Sequence, residues 1–156
     1  GNAAHGLALP ARYAVLLPGC SPAKPSKRWP AAHYAALARC LQDKGLTAVL
    51  AGTQHDQQAI DAVMALNPDC VSIMGKTSID QISAVFRQAA AVCGNDTGPV
   101  FLAARMQVTT VMVMGSDTDP TMSAPVGEHA GWVRHDNIAD VTANEVMARL
   151  STLGGI

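Results

Sequence analysis

The sequence predicts a doubly wound α/β domain, a parallel sheet covered by helices on both faces. Three observations carry this. Short continuous apolar runs recur along the chain and read as strands buried on both sides. Each is followed by a stretch of helical periodicity. Glycine- and proline-marked turns punctuate the alternation. The 156 residues suit one domain. A chain of that length buries about two thirds of its unfolded surface and needs no staples.

The elements follow in order. Tyr13 to Leu17 is a buried strand closed by Pro18-Gly19. A polar loop over residues 20–28 leads to Trp29-Pro30, where proline suits a helix start. Tyr34, Leu37, Ala38 and Leu41 give that helix an apolar stripe, and Gly45 ends it. The pattern then repeats in outline. Residues 47–51 read as a strand and 54–66 as a helix. Residues 70–74 read as a short strand and 78–88 as a helix, with Ser78 as its cap. Residues 90–94 read as a strand and 97–106 as a short helix. Residues 108–114 form the most strand-like run, and 115–127 read as a long loop. Residues 132–134 are a candidate last strand and 143–150 a last helix.

Composition narrows the function classes. The chain is 49% hydrophobic, 15% charged and only 4% aromatic, so an aliphatic core is expected. A net charge of -1 with both signs scattered argues against nucleic acid as a partner, since phosphate contacts need a basic face. Cys20, Cys40, Cys70 and Cys93 lack the close spacing of a zinc site or a disulfide framework. They read as free thiols in a reducing cytosol. No apolar run approaches the roughly 20 residues of a transmembrane helix. Gly1-Asn2-Ala3 reads as a cloning remnant, which suggests an excised domain. No nucleophile elbow, Walker-type phosphate loop or G-x-G-x-x-G fingerprint is present. The five histidines show no metal-ligand pairing, so no metal is expected.

Ligands of doubly wound sheets sit beyond the carboxyl ends of the strands. The loops there are the candidate site. Gly94-Asn95-Asp96-Thr97-Gly98-Pro99 lies between a strand and a helix. Asp96 and Thr97 are both able to cap that helix, whose free N–H groups otherwise favour an anion such as phosphate. Gly19 and Ser21 open a loop carrying Lys24, Lys27 and Arg28. There a glycine permits close approach and cations suit a diphosphate; a solvated basic loop is the plainer alternative. Asp56, after the second strand, is placed either to accept ribose hydroxyls or to complement a helix dipole. His55 reads as a surface histidine.

Taken together, from Leu16 to Pro125, these loops resemble glycosyltransferase family 9, the family of the ADP-heptose:lipopolysaccharide heptosyltransferases. Lys27-Arg28-Trp29-Pro30 looks like its lysine-x-Trp-Pro segment, Gly52 to Asp56 like its glycine-to-acid turn, and Gly75-Lys76-Thr77-Ser78-Ile79 like its G-K-T-S-L segment. Asn95-Asp96-Thr97-Gly98 matches its N-D-[ST]-G signature, and Gly115 to Pro120 looks like its G-P-T-x-P loop. The resemblance implies a GT-B architecture of two Rossmann-like domains, of which this chain is the donor-binding half. Ser21 and Lys27, with Lys24 as a substitute, are then expected to hold the diphosphate near Gly19. Asp56 is expected on the ribose, Thr77 beside the adenine, and Asp96, Thr97 and Gly98 on the sugar and phosphate. The family's catalytic base lies in the other domain, so no catalytic residue is expected here. Inverting transfer without metal or cofactor is implied. So are a glycolipid or glycan acceptor and a cytoplasmic location at the inner membrane's inner face. The chain departs from the family at Phe101, where a histidine usually follows the signature glycine by three residues, and its last loop lacks the proline after Gly115. A non-catalytic nucleotide-sugar-binding module is the alternative that Phe101 favours.

Overall fold

The computed structural model describes residues 9–19, 28–75, 78–116, 118–154 and 156. Six parallel strands form one sheet: β1 (Tyr13–Leu17), β2 (Thr47–Leu50), β3 (Val71–Ser72), β4 (Val92–Gly94), β5 (Thr110–Met114) and β6 (Ala130–Arg134). Their order is β3-β2-β1-β4-β5-β6. This is the doubly wound order of nucleotide-binding α/β folds, with the change of direction between β1 and β4.

The helices are α1 (Ala31–Asp43), α2 (Gln57–Leu66), α3 (Ile79–Gln88), α4 (Gly98–Arg105), α5 (Pro120–Ser123) and α6 (Ala143–Thr152). Side chains of a strand alternate between faces, and here both sets are apolar. Ala14, Leu16, Ala48, Leu50, Val111 and Val113 face one cluster with α1, α2 and α6. Tyr13, Val15, Leu17, Val49, Met112 and Met114 face the other with α3 and α4. Two-sided burial is why these strands are continuous apolar runs. Tyr13 sends its hydroxyl to the Val85 carbonyl at 2.6 Å, tying β1 to α3.

Local signals set the boundaries. Ser78 accepts from the Gln81 amide at 3.2 Å, and the Gln81 side chain returns a bond to the Ser78 amide at 2.8 Å. This is the expected cap in reciprocal form. Thr142 and Glu145 repeat the arrangement at α6. Gly45 ends α1 at φ +81°, a conformation costly for other residues.

Several expectations are corrected. The helix over 54–66 is broken: Gln54–Asp56 form a 3-10 turn before α2 starts at Gln57. The long loop over 115–127 contains α5, begun by Asp119, whose Oδ1 accepts from the Thr121 amide at 2.9 Å. A further 3-10 turn, Ile138–Asp140, precedes α6. β3 is two residues long, not five, and β6 begins two residues earlier than the sequence suggests.

Candidate functional site

β1 and β4 are hydrogen-bonded neighbours, yet their chains leave to opposite faces, β1 to α1 and β4 to α4. The divergence opens a crevice at the carboxyl end of the sheet. A hollow of about 200 Å³ lies there, lined by Leu17, Gly19, Gly52, Asp56, Thr97 and Pro99. A neighbouring hollow of about 540 Å³ shares Leu17, Gly52, Thr53 and Pro99 and extends to His55, Gly75, Ser78 and Ile82. Together they form one cleft running from the start of α4 across β1 towards β3. Leu17, Ile82 and Pro99 give it apolar walls. Backbone, Thr53, Ser78 and Asp56 give it polar ones.

Asp56 sits where the first two turns meet. Its Oδ2 accepts from the Thr53 amide at 2.9 Å, closing a capping box on the 3-10 turn. Both neighbouring glycines are required by its carboxylate. A Cβ on Gly19 would be driven into Oδ1, and one on Gly52 would lie 2.7 Å from Oδ2. The helix-start role considered for Asp56 is therefore realised in the 3-10 turn, and the half-buried carboxylate still lines the smaller hollow.

The N-D-T-G segment divides its work. Asn95 is fully buried. Its Oδ1 accepts from the Trp29 amide at 2.9 Å and from the Tyr34 hydroxyl at 2.9 Å. Its Nδ2 donates to the carbonyls of Pro18 at 3.0 Å and Gly19 at 3.1 Å. Thr97 takes the N-cap position of α4, but its hydroxyl makes no capping bond, so the cap considered for Thr97 is not formed. Thr97 Oγ1 instead lies 3.5 Å from the Asn95 carbonyl. Gly98 opens α4, and a Cβ built there would meet no atom of another element within 4 Å among the described residues.

Asp96 accepts from the Thr118 hydroxyl at 3.2 Å, and the Thr118 carbonyl accepts from Arg134 Nε at 3.0 Å. The loop after β5 is thus fastened to the start of α4 and to the end of β6. Asp119 lies beside this chain. The Thr121 hydroxyl and amide hold its carboxyl below the usual carboxylate range, and Arg134 adds to this.

The nine expected donor contacts therefore divide three ways. Gly19, Asp56 and Thr97 line one hollow. Asp96 and Gly98 flank Thr97 at the start of α4. Ser21, Lys24, Lys27 and Thr77 lie outside the described residues. Phe101, on the second turn of α4, packs half-buried against the apolar cluster of that face and lines neither hollow. Sequence reasoning missed the tie of Asn95 to both ends of the first loop, and the Thr118–Arg134 link. The Asn-Asp pair in a tight turn was the available signal for the first. A cation ending a strand, Arg134, was the signal for the second. Arg28 carries an Nε shielded from solvent with no hydrogen-bond partner among the described residues. Buried donors are rarely left so without a reason. Among the described residues no cluster of three or more His, Cys, Asp or Glu side chains could hold a metal. No helix there is long and apolar enough to cross a membrane.

The same folds and loops occur in known proteins. The family model for glycosyltransferase family 9 (heptosyltransferase) matches residues 2–149. The chain is 29% identical over 151 residues to lipopolysaccharide heptosyltransferase 2 of Escherichia coli K12, covering 83% of this chain and 43% of that protein. It is 27% identical over 144 residues to lipopolysaccharide heptosyltransferase 1 of the same organism, covering 90% and 44%. Among solved structures, that of the E. coli ADP-heptose lipopolysaccharide heptosyltransferase II superposes with a TM-score of 0.86 at 27% identity, over 97% of this chain and 49% of that one. The E. coli heptosyltransferase WaaC with ADP gives 0.81 at 25% identity, over 94% and 47%. The chain spans less than half the length of the curated relatives it matches. The ordered loops, the parallel sheet and the family match together lead to one assignment: the chain belongs to glycosyltransferase family 9, the heptosyltransferase family.

Proposed function

We propose that this chain is the nucleotide-sugar-binding side of a heptosyltransferase-type glycosyltransferase, acting with a second domain that brings the acceptor. The observation that carries the reading is the cleft at the β1–β4 crevice. There two glycine turns, Asp56 and the start of α4 converge. Thr97 leaves the first N–H groups of α4 without its hydroxyl as a cap. Such groups point outward and favour a phosphate, and the helix dipole adds to the attraction. Among the described residues, no atom of another element crowds a Cβ position at Gly98. Arg28, whose Nε has no hydrogen-bond partner among the described residues, supplies a cation just before α1, and Lys24 and Lys27 precede it in the sequence.

The donor fits along the cleft as follows. The diphosphate lies at the start of α4, and the ribose hydroxyls reach Asp56. The base enters the larger hollow, between Ile82 and Pro99. In transfer, the bond between the anomeric carbon and the diphosphate breaks as an acceptor hydroxyl attacks from the opposite side, inverting that carbon. The departing charge is stabilised by N–H groups and cations fixed beforehand, which is electrostatic catalysis without a metal. The base that takes the acceptor's proton belongs to the other domain. Homologues carry the names of lipopolysaccharide heptosyltransferases, and one is solved with ADP. From these names we take an ADP-sugar as the donor and a lipopolysaccharide-type glycolipid as the acceptor. The work is done at the cytoplasmic face of the inner membrane.

A second reading is favoured by Phe101. Its ring is half-buried in apolar packing and offers no donor to a phosphate. On this reading the module binds a nucleotide sugar without transferring it. Calorimetric titration with ADP, UDP and GDP, with Asp96→Ala as control, tests the first proposal. Selective ADP binding that weakens in the variant is the expected result. Saturable binding of none of the three at millimolar concentration would overturn it. Phe101→His separates the second reading: a gain in donor affinity identifies a decayed site, and no gain speaks for transfer without that histidine.

A further inference from the structure

We propose that Asn95 is a positioning residue for nucleotide-sugar binding: it sets the backbone of Gly19 opposite Asp56 and the start of α4. The inference rests on the donor-binding reading above. Asn95 comes immediately after β4 and is fully buried, with no exposed surface to offer a ligand. Both of its donors and both acceptor lone pairs are used, which is the full capacity of the amide. The two ends of the β1–α1 loop are gripped by this one side chain, Pro18 and Gly19 through their carbonyls and Trp29 through its amide. Trp29 is itself pinned, its indole N–H donating to the Val141 carbonyl at 2.9 Å and its ring set edge-on to Tyr34.

The geometry tolerates little movement at Gly19. Its Cα hydrogens face the Asp56 carboxylate so closely that no side chain fits between them. A shift of Gly19 towards Asp56 is blocked, and a shift away widens the smaller hollow. Asn95 determines which of these the backbone adopts, and it does so from beneath. It touches no substrate. The same residue precedes Asp96, Thr97 and Gly98, so the start of α4 and the first turn are fixed to each other through a single amide. The orientation of that amide follows from its partners. A flipped Asn95 would turn its donors towards the Trp29 N–H.

Asn95→Asp tests this. The carboxylate keeps the two acceptor bonds from Trp29 and Tyr34 but sets oxygen against the carbonyls of Pro18 and Gly19. Asn67→Asp is the matched control. Asn67 is also buried, with its amide donating to the Ala35 carbonyl and to Gln42, and it sits at the far end of α2, away from the cleft. Both variants are compared with the parent for melting temperature and for ADP affinity, at a temperature where all are folded. Loss of fixed positioning by two hydrogen bonds corresponds to ADP binding weakened about tenfold or more in Asn95→Asp. The expected result is that loss, with Asn67→Asp unchanged in ADP affinity although it too melts earlier. Asn95→Ser removes the amide without burying a charge and replaces Asn95→Asp if the latter does not fold. Equal ADP affinity in parent and Asn95 variant would overturn the positioning role while leaving the donor-binding reading intact. Absence of ADP binding in the parent would overturn the donor-binding reading, and this inference with it.

Discussion

Gly98 and Gly19 show how one residue type answers two different demands. Gly19 is required by the protein itself, because the Asp56 carboxylate occupies the space a methyl group would need. At Gly98 no atom of another described element lies within 4 Å of where a Cβ would be. A methyl group there would project into the space from which an anion approaches α4. Gly98→Ala is therefore expected to leave the melting temperature within about 2 °C of the parent, as a surface change at a helix start does. It should weaken ADP binding measurably. Unchanged affinity in a folded Gly98→Ala would mean that the diphosphate does not approach this helix start. Thiol chemistry is a second residue-scale matter. Cys93 is buried in β4, and burial pushes its thiol far up. Cys70 is pushed up to about 11 by burial and by the charge of Asp69. Cys40 is half-exposed on α1. Thiolate is the reactive form. With a thiol reagent at pH 8, Cys40 should label in the native chain, and Cys70 and Cys93 only in denaturant. Peptide mapping of the labelled protein reads this directly, and rapid native labelling of Cys93 would contradict the buried β4.

Element boundaries are set here by side chains that bond back to their own chain. α3 and α6 begin with capping boxes whose members are three residues apart, and such pairs are readable from spacing. At α6 the box is joined by His135, whose Nε2 lies 2.9 Å from Glu145 Oε2. Hydrogen bonding from His135 first, then from the Thr142 amide, holds the Glu145 carboxyl below its ordinary value of 4.5. The sign of the pH effect follows. A lowered carboxylate adds stability above the unfolded value of 4.5 and loses it as pH falls through the lower folded value. Acid should therefore melt the chain earlier. Gln at 145 keeps the box but cannot titrate, so Glu145→Gln should show a shallower fall in melting temperature between pH 5 and about 3. Parallel curves for the two proteins would dismiss Glu145 as a source of acid lability. The 3-10 turn at Gln54–Asp56 is less legible. Only the commitment of Asp56 to the Thr53 amide interrupts an otherwise continuous helical pattern.

For the molecule as a whole, stability rests on a sheet buried from both sides. Leu50, at the end of β2, is fully buried against the α1–α2–α6 face, whereas Leu66, ending α2, is 56% exposed. Leu50→Ala is expected to lower unfolding free energy by about 2–5 kcal/mol, since it leaves a cavity in a close-packed core. Leu66→Ala should change it by less than about 0.5 kcal/mol. Urea titration of the two variants distinguishes them. Comparable losses would contradict the exposure of Leu66 at the end of α2. The same two-sided burial puts α1 and α4 on opposite faces and so opens the crevice between β1 and β4. Core and cleft are consequences of one topology.

The sequence by itself determined the class of fold, the parallel sheet, all six strands to within two residues at either end, and the loops in which the cleft would lie. These follow from patterns local in the chain: two-sided apolar runs, helical stripes, caps at fixed offsets and turn glycines. It also singled out Gly19, Asp56 and Thr97, which line one hollow. Only the tertiary structure decided how those loops are held together. Asn95 meets partners 61 to 77 residues away, Thr118 meets Asp96 across 22 residues, and Arg134 meets Thr118 across 16. No local period encodes such pairs. Likewise β3 is cut to two residues because only Val71 and Ser72 find register on β2, and Phe101 turns to the apolar face of α4 because the core there accepts its ring. Short-range patterning chooses the elements, and the order in which β1 and β4 meet chooses which of their residues become a site.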